Sequence, residues 1–179
     1  MQQASEHAMV EALLIDLYPS MEFVEKTKTY THFTIDKADI IELPLESLYD
    51  LLVTDFEMRF TVVFHTIGAN KLIGTAFKAH LNKLPSGTFS FEETLFHLYK
   101  LNPKSLEDIK HNLDALITQS DRTTLLAFGN ANMKATNAAK RLFIHRNTMQ
   151  YRLDHIQEVT GIDVKTFKGL FIIHALQTL

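Results

Sequence analysis

Two short helical patterns lie between residues 132 and 161, separated by too few residues for anything but a tight turn, and they constrain the fold more than any other segment. In the first pattern Thr136 is a candidate N-cap, because its hydroxyl can accept a hydrogen bond from a free N–H of the first helical turn. Lys140 and Arg141 are expected to stay in water. The small and apolar residues are expected to pack on a neighbouring helix: Ala138, Ala139, Leu142 and Phe143.

The second pattern predicts a helix from Arg146 to Val159, preceded by a turn at Ile144 and His145. Apolar residues spaced four and three apart form a face that is expected to enter the core: Met149, Leu153 and Ile156. The opposite face carries polar side chains, namely Asn147, Tyr151 and Asp154, with Thr148 and Gln150 on its flanks. The first turn of such a helix also presents free N–H groups and a partial positive charge, which together favour a bound anion.

Charge is distributed unevenly along the chain. Residues 1–120 contain 10 Lys and Arg against 17 Asp and Glu, whereas residues 121–179 contain 8 against 4. Five basic residues and no acidic residue lie between Lys134 and Arg152. A local basic surface is typical of phosphate binding, and the net charge of −3 does not argue against it, because only one face of a small domain contacts a duplex. The alternative is an ordinary solvated helix face.

The run from Asn132 to Leu153, with His145-Arg146-Asn147-Thr148 inside it and Thr160-Gly161-Ile162-Asp163 after it, resembles the C-terminal helix-turn-helix of the PucR/CdaR family of bacterial transcription regulators. The resemblance covers roughly the last third of the chain. In that family the His-Arg-Asn-Thr run opens the recognition helix and a Tyr-Arg-Leu follows one turn later, as at residues 151–153. Lys134 and the pair Ala138-Ala139 depart from the usual residue types.

The resemblance implies a sequence-specific, DNA-binding transcription regulator whose recognition helix, Arg146–Val159, enters the major groove of double-stranded DNA. The turn and helix also resemble Fis-type domains, in which the residues at the places of His145, Arg146, Thr148 and Tyr151 meet the DNA. The candidate DNA-binding residues are Lys134, Thr136, Lys140, Arg141, His145, Arg146, Asn147, Thr148, Gln150, Tyr151 and Arg152. Two alternatives from other classes are a protein–protein interaction module that uses the helix-turn-helix as a scaffold and a residual nucleotide-binding or cyclase domain.

Length and composition favour two domains. A chain of 179 residues that is 46% apolar can bury one large core or two small ones, and the change in charge balance near residue 120 favours a boundary between 1–118 and 119–179. The chain contains no cysteine, which excludes disulfides and thiolate chemistry. It has no apolar run near the ~20 residues that span a bilayer, and its N-terminus is polar, so no membrane partner and a cytoplasmic location are expected.

The first two thirds of the chain predict an α+β fold, in which helices cover a small antiparallel sheet, followed by an all-α helix-turn-helix domain. Strands are predicted over residues 22–36, 40–43 and 59–66. Helices are predicted over residues 6–18, 48–56, 76–84, 90–99 and 104–118, and a further helix is capped at Ser120-Asp121 and ends at Gly129. In the PucR/CdaR family this region is often a degenerate GGDEF-like domain, and the order of elements resembles one.

The sequence gives little support for catalysis. A cyclase of the GGDEF lineage needs a Gly-Gly turn, and this chain has no adjacent glycine pair. The segment from Gly68 to Gly74 has one residue too many for a phosphate loop and no Lys after its second glycine. The histidines show no His-x-x-x-His spacing, and the carboxylates Asp50, Asp55 and Glu57 have no identifiable partner. We therefore expect no enzyme activity, no metal and no cofactor.

The last helical segment, from Phe167 onward, is apolar all round and must be buried on most sides. We expect a homodimer in which this helix contributes to the interface through Ile172 and Ile173, because two subunits can contact two half-sites of an operator. The alternative is that the helix docks on the chain's own N-terminal domain. That domain is expected to dimerise or to sense a small-molecule effector, which the sequence does not identify.

Overall fold

A computed structural model describes residues 2–27, 30–42, 45–56 and 60–178. The chain forms two compact units. The first comprises Met1–Val62 with Ser86–Thr88, and the second comprises Val63–Pro85 with Phe89–Leu179. The fold is α+β, as expected. The predicted domains 1–118 and 119–179 do not coincide with these two units and stay a prediction.

The first unit contains α1 (Gln2–Leu17), β1 (Glu22–Lys26), β2 (Thr31–Thr34), α2 (Lys37–Glu42) and α3 (Leu45–Phe56). β1 and β2 pair antiparallel, with Phe23 opposite Phe33 and an irregularity between Phe23 and Glu25. The predicted strand over residues 22–36 is therefore two short strands. Among the described residues of this unit, the buried core consists of Leu14, Tyr18, Leu48 and Leu52.

The predicted strand over residues 40–43 is wrong, since Ile40 and Ile41 belong to α2 and Leu43 lies outside the described residues. A run of only a few apolar residues does not distinguish a strand from a helix. In the helix Ile40 packs against the core, whereas Ile41 is 71% exposed. Asp39 in the first turn of α2 accepts hydrogen bonds from both the N–H and the hydroxyl of Ser20, at 3.0 and 2.6 Å.

The second unit is mainly helical. Its helices are α4 (Thr75–His80), α5 (Phe91–Leu101), α6 (Glu107–Leu116), α7 (Gln119–Asn130), α8 (Ala135–Arg141), α9 (Arg146–Thr160) and α10 (Phe167–Thr178). The 3-10 helices are Ile67–Lys71, Leu81–Lys83 and Pro103–Leu106. The strands β3 (Thr61–Phe64) and β4 (Gly87–Ser90) pair with each other in a two-stranded sheet.

Two helices of the second unit, α7 and α8, begin at other caps than the sequence predicts. α7 begins with a reciprocal pair of hydrogen bonds between Thr118 and Asp121, so its cap is Thr118 and not the predicted Ser120-Asp121. α8 begins at Ala135 with Lys134 at the N-cap and no side-chain bond. Thr136 is therefore inside the helix and exposed, and its predicted role as the N-cap is wrong.

α10 packs against α5 and α6 within the second unit. Ile172 and Ile173 are both fully buried there, so the prediction that they face a second subunit is wrong. Burial on most sides of the helix is confirmed, but the covering helices come from residues 91–116 of the same chain. The homodimer itself stays a prediction. Among the described residues, no helix is both long and apolar enough to cross a membrane.

Candidate nucleic-acid interface

Three mutually packed helices, α7, α8 and α9, are joined by two tight turns. Asn132 and Met133 take positive φ angles in the first turn, and Phe143 takes a φ of 54° in the second. In the second turn, the N–H of Ile144 donates a hydrogen bond of 3.0 Å to the carbonyl of Ala139. These left-handed residues let α7, α8 and α9 follow one another with only four residues in each turn.

α9 has one buried and one exposed face. Met149, Leu153, Ile156 and Thr160 are completely buried, as the apolar spacing predicts for the first three. His145 is the N-cap, and its Nδ1 accepts a hydrogen bond of 3.2 Å from the N–H of Asn147. The predicted recognition helix is thus a helix from Arg146 to Thr160, and its N-terminal end is exposed.

Ten of the eleven candidate DNA-binding residues have exposed side chains, and they fall on α8, the following turn and the first turns of α9. They are Lys134, Thr136, Lys140, Arg141, His145, Arg146, Asn147, Thr148, Gln150 and Tyr151. Arg152 differs: it is half-buried, and its Nη1 donates to the hydroxyl of Thr124 on α7 at 3.4 Å. Arg152 therefore ties α9 to α7.

Two further residues, which the sequence interpretation missed, border this surface. His155 is exposed and its ring stacks on Tyr151 with a centroid separation of 6.5 Å. Lys165, from the segment after α9, reaches back to Asp154, with 2.9 Å between Nζ and Oδ1. The spacing of four between Tyr151 and His155 could have been noticed in the sequence, whereas the contact of Lys165 depends on the turn after α9.

Asp154 is the centre of a small polar cluster on the exposed side of α9. Its Oδ1 accepts from Lys165 and also from Nε2 of Gln150 at 3.0 Å. The hydrogen bond from Lys165, assisted by that from Gln150, lowers the pKa of Asp154. The hydrogen bond to Asp154 in turn raises the pKa of Lys165. Asp154 is thus an ionised, paired carboxylate in an otherwise basic neighbourhood.

Phe143 is 97% exposed, so the prediction that it packs on a neighbour is wrong. Its flanking residues Leu142 and Ile144 pack against the core instead. A chain that turns through a left-handed residue between two inward-facing neighbours directs the middle side chain into solvent. Phe143 therefore combines a strained backbone with full exposure of an apolar ring.

The C-terminal end of α9 is closely packed. Gly161 ends the helix with a φ of 71°, and a Cβ there would lie 2.4 Å from the backbone N of Ala69. A Cβ on Gly68 would lie 2.2 Å from the carbonyl oxygen of Glu158. The glycines let the 3-10 helix Ile67–Lys71 contact α9 directly. Gly68 thus has a packing role.

A helix with an exposed, polar N-terminal end, held by two helices through a tight turn, defines a helix-turn-helix protein. Residues 122–176 match the family profile described as the PucR C-terminal helix-turn-helix domain. Over these residues the chain is similar to the PucR helix-turn-helix domain, which confirms the resemblance seen in the sequence. The match extends through α10, which fits the packing of that helix within the same unit.

Curated relatives include the carbohydrate diacid regulator of Escherichia coli, 44% identical over 57 residues, which are 31% of this chain and 15% of the relative. The proline-responsive transcriptional activator PutR of Bacillus subtilis is 26% identical over 150 residues, 82% of this chain and 36% of PutR. The Bacillus subtilis protein YxkF is 35% identical over 77 residues, 37% of this chain and 26% of YxkF. The chain thus spans about a third or less of each relative. No solved structure matches it.

Neither the family match nor the relatives indicate a catalytic family. The two relatives whose names state a role are regulators. In the described part of the chain, no three His, Asp or Glu side chains are grouped so that they could hold a metal ion. The GGDEF-like interpretation of the first domain stays a prediction.

Proposed function

We propose that this chain is a sequence-specific, DNA-binding transcription regulator that inserts the N-terminal half of α9 into the major groove. The observation that carries the proposal is the exposed start of α9 with Arg146 and Asn147, which follows the exposed Lys140 and Arg141 in the last turn of α8. Ion pairs within the described residues involve other lysines and arginines, so the charges of these three basic residues remain free for phosphates or base edges.

The relatives favour this function over its alternatives. The carbohydrate diacid regulator is similar to this chain over 57 residues, and PutR aligns with most of it. A scaffold that binds only proteins would not need a solvent-exposed basic surface around a helix N-terminus. The proposal includes that this regulator has no enzyme activity and is located in the cytoplasm. The effectors in the relatives' names belong to those proteins, and an effector for this chain stays a prediction.

The test begins with selection of bound duplexes from a random library, followed by titration of the selected site at several salt concentrations. Log affinity should fall linearly with log salt, by about 0.9 for each phosphate neutralised. Arg146→Ala should cost about 1–3 kcal/mol of specific binding if the guanidinium contacts a guanine in two places. Lys140→Ala should weaken all duplexes equally.

Lys104→Ala is the matched control, because Lys104 is an exposed lysine of the same unit in the 3-10 helix Pro103–Leu106, outside the helix-turn-helix. It should leave both specific and non-specific affinity unchanged. The proposal fails if no sequence is enriched, or if Arg146→Ala binds the selected site as tightly as the wild-type protein.

We also propose that the chain acts as a homodimer through the exposed side of α10. Phe167 and Phe171 are 73% and 38% exposed, and their rings stack with centroids 6.2 Å apart. A second subunit would cover these rings and provide a second recognition helix, which would bind a half-site about 34–36 Å from the first.

Phe167→Glu should lower the sedimentation coefficient to that of a monomer. Ile41→Glu, which also places a glutamate at an exposed apolar residue but in the first unit, should not. A monomeric wild-type protein at micromolar concentration would contradict the dimer.

A further inference from the structure

The side chain of Gln150 is held in one orientation by Asp154, one turn further along α9. The amide Nε2 donates to the carboxylate Oδ1 at 3.0 Å. An ionised carboxylate can only accept hydrogen bonds, so the nitrogen and not the oxygen of the amide must face Asp154. Lys165 contacts the same Oδ1 and keeps the carboxylate ionised, and the hydrogen bond between them lowers the pKa of Asp154.

This arrangement leaves Gln150 with a defined pair of free hydrogen-bonding groups. Of the two amide N–H groups one is used by Asp154, so one N–H donor and the acceptor Oε1 remain available. The side chain is exposed and lies one helical turn after Arg146, in the half of α9 assigned to the major groove. A rotation of the Gln150 amide that exchanged its nitrogen and oxygen would place Oε1 against the carboxylate of Asp154, and two acceptors facing each other are unfavourable.

The four bases differ in what they offer to such a pair in the major groove. Adenine presents a donor at N6 beside an acceptor at N7, whereas guanine presents two acceptors. Cytosine presents a donor at N4, and thymine an acceptor at O4 beside its methyl group. One acceptor and one donor side by side on Gln150 complement adenine.

We propose that Gln150 determines specificity for an adenine in the operator and that Asp154 is the positioning residue that orients its amide. The inference rests on the proposed DNA-binding function. Asp154 itself contacts no base in this scheme. Its role is to make the amide present Oε1 to N6 and the free N–H to N7.

The first experiment compares operator preferences of the wild-type protein and of variants by selection and titration. Gln150→Ala should remove the preference for adenine at one operator position, a loss of about 5- to 150-fold in discrimination for a bidentate contact. Asp154→Ala should also reduce that discrimination, yet should not weaken binding to unrelated duplexes, because it removes a negative charge near phosphates. Asp154→Asn, which keeps an acceptor oxygen for Gln150, should give an intermediate preference.

The second experiment changes the base. Replacing the selected adenine by 7-deazaadenine removes the N7 acceptor, and replacing it by purine removes the N6 donor. Each analogue should weaken the wild-type protein and should have no further effect on Gln150→Ala, because the contact is already lost in that variant. Thermal unfolding checks that the variants remain folded, as expected for an exposed side chain.

The outcomes separate the inference from the function on which it rests. If the wild-type protein selects a site and Arg146→Ala weakens it, but Gln150→Ala keeps every base preference, the role of Gln150 is overturned and DNA binding stands. Equal effects of the analogues on the wild-type protein and on Gln150→Ala overturn it in the same way. If no site is selected at all, both proposals fall.

Discussion

The two ends of α9 are built in opposite ways. At the start, His145 caps the helix, and the side chains of the following three residues are exposed. At the end, Thr160 and Gly161 are buried, and the 3-10 helix Ile67–Lys71 packs directly on the backbone. The end of α9 therefore anchors the helix, and its exposed start carries the proposed DNA contacts. Substitutions at the end should change stability, and those at the exposed start should change DNA affinity.

Hydrogen bonding strengthens the anchored end. The hydroxyl of Thr160 donates to the carbonyl of Ile156 at 2.6 Å and accepts from the N–H of Ile162 at 3.1 Å, both within the buried core. The N–H of Gly161 donates to the carbonyl of Gln157 at 2.7 Å. The carbonyls of Ile156 and Gln157 and the N–H groups of Gly161 and Ile162 are therefore paired inside the protein, whereas the first N–H groups of α9 adjoin the exposed surface.

The largest effect is expected from Gly161→Ala at the anchored end. An alanine would have to adopt a left-handed φ and would force its Cβ into the backbone of Ala69, so we expect a loss of about 2–4 kcal/mol in the free energy of unfolding. Urea denaturation measures it. Gly74→Ala is the control, because its nearest neighbour would be 4.0 Å away and its φ is −104°, and it should change stability by less than about 1 kcal/mol. Equal effects of the two substitutions would contradict the packing role of Gly161.

Arg152→Ala tests the border between the two ends. Arg152 is half-buried and donates to Thr124, so its removal should lower the free energy of unfolding by about 1 kcal/mol through lost packing and a lost hydrogen bond. Arg146→Ala, at an exposed arginine of the same helix, should leave the unfolding midpoint unchanged and lower only DNA affinity. If Arg152→Ala leaves stability intact and Arg146→Ala lowers it, the assignment of the two arginines is reversed.

Phe143→Gly should raise stability next to the recognition end. Glycine adopts the left-handed φ of 54° without strain, and the change removes a fully exposed ring, so we expect a gain of up to about 1 kcal/mol despite the greater chain entropy of glycine. Thermal unfolding measures the gain. Phe143→Ala, which keeps a Cβ at the strained position, should give less of it. A lower midpoint for Phe143→Gly would show that the ring has a packing partner.

Local signals predicted the helix-turn-helix well. Spacing of Met149, Leu153 and Ile156 identified the inward face of α9, and the residues after Ile144 identified its start. Phe143 was misassigned because apolar character alone does not report backbone conformation at a turn. Ile40 and Ile41 were misassigned because a run that short fits a strand or a helix equally well.

Non-local packing limited the rest. The all-round apolar character of α10 predicted its burial, but nothing in residues 167–178 identifies α5 and α6 as the partners, since these lie at least 50 residues away in the chain. The role of Gly68 depends on the approach of Glu158, 90 residues later. The hydrogen bond from Gln150 to Asp154 has a helical spacing of four that could be noticed in the sequence, whereas the contact of Lys165 required the turn at Gly161.

The smallest effect is expected for the pair of Asp154 and Lys165, which links the exposed side of α9 to the segment beyond its anchored end. Both side chains are more than a third exposed, so the pair should contribute only a few tenths of a kcal/mol at pH 7, about the value of a surface ion pair.

The direction in which this contribution changes with pH follows from the lowered pKa of Asp154. The pKa of Asp154 is lowered in the folded state from its ordinary value of 3.8, so the stabilisation is present above pH 3.8 and is lost as the pH falls through the lowered value. The stability difference between the wild-type protein and Asp154→Asn, measured by urea denaturation, should therefore be constant from pH 7 to pH 5 and shrink below pH 4. A difference that grows on acidification, or one that exceeds the effect of Gly161→Ala, would mean that this pair and not the glycine contact anchors the helix.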